Sequence, residues 1–73
     1  MQDNGHLKKF ILYILGASAL SRDEIISEIK GHYDPTIQDG AILDALLELT
    51  EKDKAIAHYP ITDQYKLLIN KPF

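Results

Sequence analysis

Seventy-three residues make one small domain, burying roughly 60% of the surface of the unfolded chain. With 45% hydrophobic and 26% charged residues it is an ordinary globule, not a disordered tail. The absence of cysteine excludes disulfides and thiolate-bound metal, so packing alone must hold the fold, and the formal charge of −3 is concentrated in one segment.

The start MQDNGHLKK lacks the charged start, long apolar run and small-residue cleavage site of a secretory signal, and FILYIL is far too short to span a bilayer. The expectation is a cytoplasmic protein with no membrane association. In chain order, Leu7, Phe10, Ile11, Ile14 and Leu15 recur at i, i+3, i+4, i+7 and i+8, which predicts a helix from about Asn4 to Leu15 with Lys9 on the opposite face. Gly16 is expected to end it, and Ala17 to Leu20 suit a very short strand. Ser21-Arg22-Asp23-Glu24 is a capping box, in which the Ser hydroxyl accepts from the backbone three residues on and the Glu carboxylate returns the bond. It opens a second helix with Ile25, Ile26 and Ile29 inward, closed at Gly31 in the left-handed conformation.

His32-Tyr33-Asp34-Pro35 supplies a turn, and Thr36 with Asp39 repeats the N-terminal signature in weaker form before a third helix running to about Asp53. On a helical wheel Ile42, Ala45, Leu46 and Leu49 cluster, and Leu43 and Leu47 extend the apolar arc to about half the circumference. Asp44, Glu48 and Glu51 occupy the other side, beside Gly40 and Ala41. Alternation then places Ile56 and His58 on one face of a strand and Ala55, Ala57 and Tyr59 on the other. Past the loop PITDQ a last strand sets Tyr65, Leu67 and Ile69 together, with Pro60 at an edge or loop position.

The order helix, short strand, helix, helix, strand, strand, with the pattern I-x3-L-x2-L at Ile42, Leu46 and Leu49 followed by Ile56, resembles the winged helix-turn-helix superfamily over nearly the whole chain. The resemblance implies one small α+β domain over residues 1–73, of three helices, a C-terminal hairpin wing and a short first strand. It also implies a DNA-binding transcriptional regulator, in which helix 3 enters the major groove, the start of helix 2 touches phosphate and the wing reaches the backbone or minor groove. Position by position, Thr36, Gln38, Gly40, Asp44 and Leu47 become the groove-facing residues, Arg22 the phosphate contact, and Thr62, Asp63 and Gln64 the wing tip. Lys52, Lys54 and Lys66 complete the cations that duplex DNA would meet.

Charge points elsewhere. Between Thr36 and Lys54 five acids, Asp39, Asp44, Glu48, Glu51 and Asp53, face two lysines, a net −3; the rest of the chain holds six of each sign. Phosphate binding depends on cations that displace condensed counterions, and the hairpin YPITDQYK holds only Lys66. The alternative is a protein-interaction module whose face Asp44, Leu47, Glu48 and Glu51 meets a basic or mixed protein surface. Taken singly, the same acids also read as a solvated helix surface. DNA binding and protein binding both remain open.

Chemistry has little support. His6, His32 and His58 recur at intervals of 26 residues without metal-ligand spacing, and Asp23 and Glu24 suit the helix dipole better than acid and base roles. Ser and Thr residues sit at caps or turns, and there is no glycine-rich phosphate loop. Tyr13, Tyr33, Tyr59 and Tyr65 are too scattered for a base-stacking platform. The chain is expected to be a non-enzyme without metal or cofactor. Leu12 and Tyr13, outside the main stripe of helix 1, would serve a homodimer unless the core covers that helix on more than one side.

Overall fold

A computed structural model describes residues 4–68. The elements are α1 (Asn4–Ala17), β1 (Leu20–Ser21), α2 (Arg22–His32), α3 (Asp39–Leu47), a π-helical turn (Glu48–Lys52), β2 (Ile56–Tyr59) and β3 (Gln64–Leu67). Three helices packed against a three-stranded antiparallel sheet make this an α+β fold, with sheet order β1-β3-β2.

Along α1, Leu7, Ile11, Ile14 and Leu15 are buried as their spacing requires, and Phe10 packs against them half-buried. Leu12 is buried as well, only 8% exposed, so the core wraps α1 on more than one side and Tyr13 alone of that pair faces out, 77% exposed. The helix runs through Gly16 to Ala17 instead of stopping. At the start of α2 the capping box forms: the Glu24 amide donates to Ser21 Oγ at 3.2 Å and the Ser21 amide to Glu24 Oε1 at 2.9 Å.

The end of α2 departs from expectation. Gly31 lies within the helix, and no described glycine has positive φ. Closure comes instead from the amides of Tyr33 and Asp34, which both donate to the Ile29 carbonyl at 2.8 Å, while Pro35 disfavours a helical Asp34 and stops propagation. The Thr36 signature also fails as a cap, because the Thr36 hydroxyl and amide are both taken by Asp34 Oδ1, at 2.7 and 3.0 Å. Gln38 is the N-cap, without a side-chain bond, and Asp39 pairs with Lys30 of α2 at 2.6 Å.

α3 buries Ile42, Ala45 and Leu46, and Leu49 follows from the π turn. Leu43 and Leu47 do not join them, because one stripe already fills the space available to this helix. After Leu47 the α ladder widens, the Asp53 amide bonding the Glu48 carbonyl five residues back at 2.8 Å. The Thr50 hydroxyl donates to the Leu46 and Leu47 carbonyls at 3.0 and 2.9 Å, serving the backbone where the ladder changes. Lys54, at φ 54°, leaves the turn through the left-handed region.

The hairpin register sets Ile56 opposite Leu67, His58 opposite Tyr65 and Tyr59 opposite Gln64, and β1 adds Leu20 opposite Tyr65. A four-residue turn, Pro60 to Asp63, connects the strands, with Asp63 at φ 53°, a left-handed position an aspartate tolerates. Ala55, expected on the strand face opposite Ile56, is buried as Ile56 is, because it precedes the strand and its amide donates to Leu49 of the π turn. Ile69 lies outside the described residues. Among those described, no helix is long and apolar enough to cross a membrane.

Ile11, Ile25, Ile29, Ile42, Leu46, Leu49 and Ile56 are the large side chains sealed from solvent. Leu46→Ala is therefore expected to cost about 2 to 5 kcal/mol, from lost transfer energy and a residual cavity, in denaturant melts; a change below about 0.5 kcal/mol would place Leu46 outside the core. Gly31→Ala should go the other way. A Cβ there meets nothing within 4 Å, so the same melts should show stabilisation of about 0.5 to 1 kcal/mol from helix propensity.

Candidate functional site

The outward surface of α3 is built by default: once Ile42, Ala45, Leu46 and Leu49 turn inward, the residues left facing solvent are Asp39, Gly40, Leu43, Asp44, Leu47 and, in the π turn, Glu51 and Lys52. Leu43 is 39% and Leu47 55% exposed, one helical turn apart. They form one wall of an open groove of about 710 Å³, with Thr50, Glu51 and Lys54 along the same side. The facing wall is Ile56, Ala57 and His58 of β2, Tyr65 of β3 and the exposed Leu68.

On the strand wall, His58 and Tyr65 are direct cross-strand partners, and their rings stack with centroids 4.4 Å apart and planes at 23°. His58 Nε2 lies 2.9 Å from Asp63 Oδ1, so the left-handed turn residue holds the ring from its other end. Burial is the main cause raising the Tyr65 pKa above its ordinary 10.0, the Asp63 charge adds to the shift, and the Arg22 charge opposes it. Apolar at its helix wall and aromatic at its strand wall, the groove has Glu51 and Lys54 as its charged members, and Asp44 lies exposed on α3.

The acids of this segment do not all remain available. Lys8 of α1 pairs with Glu48 at 2.6 Å and Asp53 at 3.1 Å. In an α-helix residues five apart point about 140° away from each other, whereas the π turn stacks Glu48 and Asp53 and lets one ammonium hold both. Lys30 takes Asp39 in the same way from α2. Asp44 and Glu51 make no ion pair among the described residues, so the candidate protein-binding face is Leu43, Asp44, Leu47 and Glu51, while Glu48 is bound to α1.

The candidate DNA contacts scatter. Thr36 is bonded to Asp34 before α3, and Gln38 caps that helix, whereas Lys52 closes the π turn, about 20 Å away at 1.5 Å per residue. Lys54 lines the groove, and Lys66, paired with Ala57, projects from the sheet face opposite His58 and Tyr65. Arg22 is exposed at the first position of α2, near enough to Tyr65 for its charge to act there. Thr62 is exposed at the hairpin tip, Asp63 is engaged by His58, and Gln64 pairs with both Tyr59 and Ser21. Beside Thr62, Ile61 is 99% exposed, an apolar tip where a phosphate-binding wing would carry a cation.

His32 lies by Glu28 on α2 and His58 by Asp63 on the hairpin, and among the described residues no group of three His, Asp or Glu side chains gathers to hold a metal. Sequence reasoning missed Leu43, Tyr65 and Leu68 as groove residues. The first had a signal, since Leu43 and Leu47 lie at i and i+4 outside the tightest cluster; Tyr65 and Leu68 join only through the hairpin register. No protein family, curated protein or solved structure matches this chain.

The charged contacts give the stability a definite pH dependence. The hydrogen bond to Glu48 is the largest influence raising the Lys8 pKa above its ordinary 10.5; burial opposes it, and Asp53 adds to it. A raised folded-state pKa means stabilisation fully present below the unfolded value and lost as pH rises through the folded one. Tyr65 has the same sign, with onset at 10.0. Urea melts should therefore weaken as pH climbs past 10.0 and 10.5, and Lys8→Met and Tyr65→Phe should each flatten that decline. Equal alkaline slopes in wild type and both variants would refute the assignment.

Proposed function

We propose that this chain is a noncatalytic regulator of the winged-helix type that acts by recruiting a protein partner with a basic or mixed surface through the outward face of α3. Support for the winged-helix reading comes from the order of helices and strands and from a sheet in which the first strand pairs with the last. The partner class rests on one observation: from Asp39 to Glu51 the outward side chains are leucines and carboxylates, with no cation or amide among them. The bidentate base contacts come from Arg, Lys, Asn and Gln, and this span holds none; its carboxylates suit only the cytosine amino group, and Thr50 spends its hydroxyl on the helix backbone. Exposed leucines flanked by unpaired carboxylates instead complement an apolar surface with basic residues around it.

DNA binding is the second reading, favoured by the same element order and by Arg22 at the exposed start of α2. It would draw chiefly on Arg22, Lys52, Lys54 and Lys66, so a monomer should bind mixed-sequence duplex weakly, with a log-log salt slope shallower than about −4, at roughly −0.9 per neutralised phosphate. A homodimer would double the cations and steepen that slope.

Partner capture separates the readings. Reversing Asp44 and Glu51 to lysine should leave the thermal melt within about 0.5 kcal/mol of wild type, as exposed substitutions do, while removing basic partners and strengthening nonspecific duplex binding. Unchanged partner profiles would count against the α3 face. Tight, sequence-selective DNA binding abolished by Lys52→Ala and Lys54→Ala in folded protein would make transcriptional regulation the better reading.

A further inference from the structure

Among the described residues, the sheet order β1-β3-β2 leaves β2 with a strand on one side only. Its backbone direction follows from the register. The Leu68 amide donates to the Ala55 carbonyl at 2.9 Å, so the pair 55 and 68 is a hydrogen-bonded one. In an antiparallel ladder such pairs alternate, making 57 with 66 and 59 with 64 the next two. Ile56 and His58, opposite Leu67 and Tyr65, are non-hydrogen-bonded pairs, so their N–H and C=O groups turn away from β3; Ile56 is buried, and it is the exposed His58 that presents them at the open edge. The close approach of His58 and Tyr65 rings agrees with this, since non-hydrogen-bonded pairs bring side chains nearer. This edge borders the groove whose other wall carries Leu43 and Leu47.

We infer that the groove takes an extended segment of another protein, with apolar and basic residues alternating, that adds to the sheet along β2. The inference rests on the protein-recruitment reading above and names the form of the partner. An added strand would hydrogen-bond the outward backbone of His58, seat every second side chain against Leu43 and Leu47, and keep the intervening basic ones at the rim, where Asp44 and Glu51 are unpaired. A helix in the groove would satisfy its backbone internally and leave the edge amide of His58 without a partner. A second copy of this chain would bring two acidic α3 faces together, so the charge favours a basic partner over self-pairing.

The test uses two short synthetic peptides of identical composition, one alternating valine and lysine, the other with the same residues at helical spacing, titrated into the isotope-labelled protein. The alternating peptide should bind the more tightly and slow hydrogen exchange at the His58 amide. His58→Pro removes that outward amide while sparing the ladder, because proline is accepted on an edge strand where its nitrogen faces away from the neighbour. His58→Ala removes the same ring and keeps the amide. Binding should weaken about tenfold in His58→Pro relative to His58→Ala, the loss expected for one backbone hydrogen bond with its partner left unsatisfied. If His58→Pro does not fold, the exchange measurement on His58→Ala decides in its place. Tighter binding of the helical peptide, blocked by Leu47→Glu and without protection at His58, would overturn the strand inference and leave protein recruitment standing. Failure of both peptides to bind would overturn it too, and partner capture with the Asp44 and Glu51 reversals would then judge recruitment independently.

Discussion

The burial of Ile42, Ala45, Leu46 and Leu49 along one side of α3 is the contact on which the rest of the molecule is arranged. These side chains join Ile11 of α1, Ile25 and Ile29 of α2 and Ile56 of β2 in one cluster, and a chain of 73 residues has no second core to fall back on. Filling that cluster fixes the rotation of α3 about its axis. Everything on its far side, including the two leucines the core does not use, is exposed as a consequence.

Electrostatics refines what packing sets. The negative charge of the segment from Thr36 to Lys54 is unevenly distributed once the chain is folded, because Lys8 and Lys30 reach across from α1 and α2 and hold Glu48, Asp53 and Asp39. Ion pairs this exposed add little to stability, but they decide which carboxylates stay available to a partner. The π turn has a part in that choice, since only its wider spacing sets two acids five residues apart on the same lysine.

Much of this architecture was legible in the residues. The amphipathic spacing of α1 and α3, the capping box at Ser21 and the hairpin around Pro60 to Asp63 are local signals, and each corresponds to an element in the structure. Helix ends were less legible. Gly16 and Gly31 read as stops because glycine tolerates left-handed geometry, yet neither needs it; Pro35 is what ends α2, and the Asp34 carboxylate diverts Thr36 from its capping role. The π turn has no period that distinguishes it from continued α-helix over so few residues. For the site, Asp44, Leu47 and Glu51 could be placed from the wheel, whereas the strand wall depends on which residues face one another across a hairpin and on which edge of the sheet is left open. Those are tertiary facts, invisible to periodicity.

The uncovered apolar surface also governs how the protein behaves in concentrated solution. Leu43, Leu47, Leu68 and Ile61 face water, and an open strand edge runs beside three of them. An unpaired edge next to exposed leucines is a template for nonspecific stacking between molecules, and a formal charge of −3 gives only modest long-range repulsion against it. Salt shortens that repulsion to about 10 Å at 0.1 M ionic strength, and acidification to the isoelectric point, pI ≈ 5.4, removes it. Colloidal stability and recognition are therefore opposed in this molecule: the groove that gives a partner something to hold is what limits solubility while it stands empty, and occupancy would relieve both conditions at once.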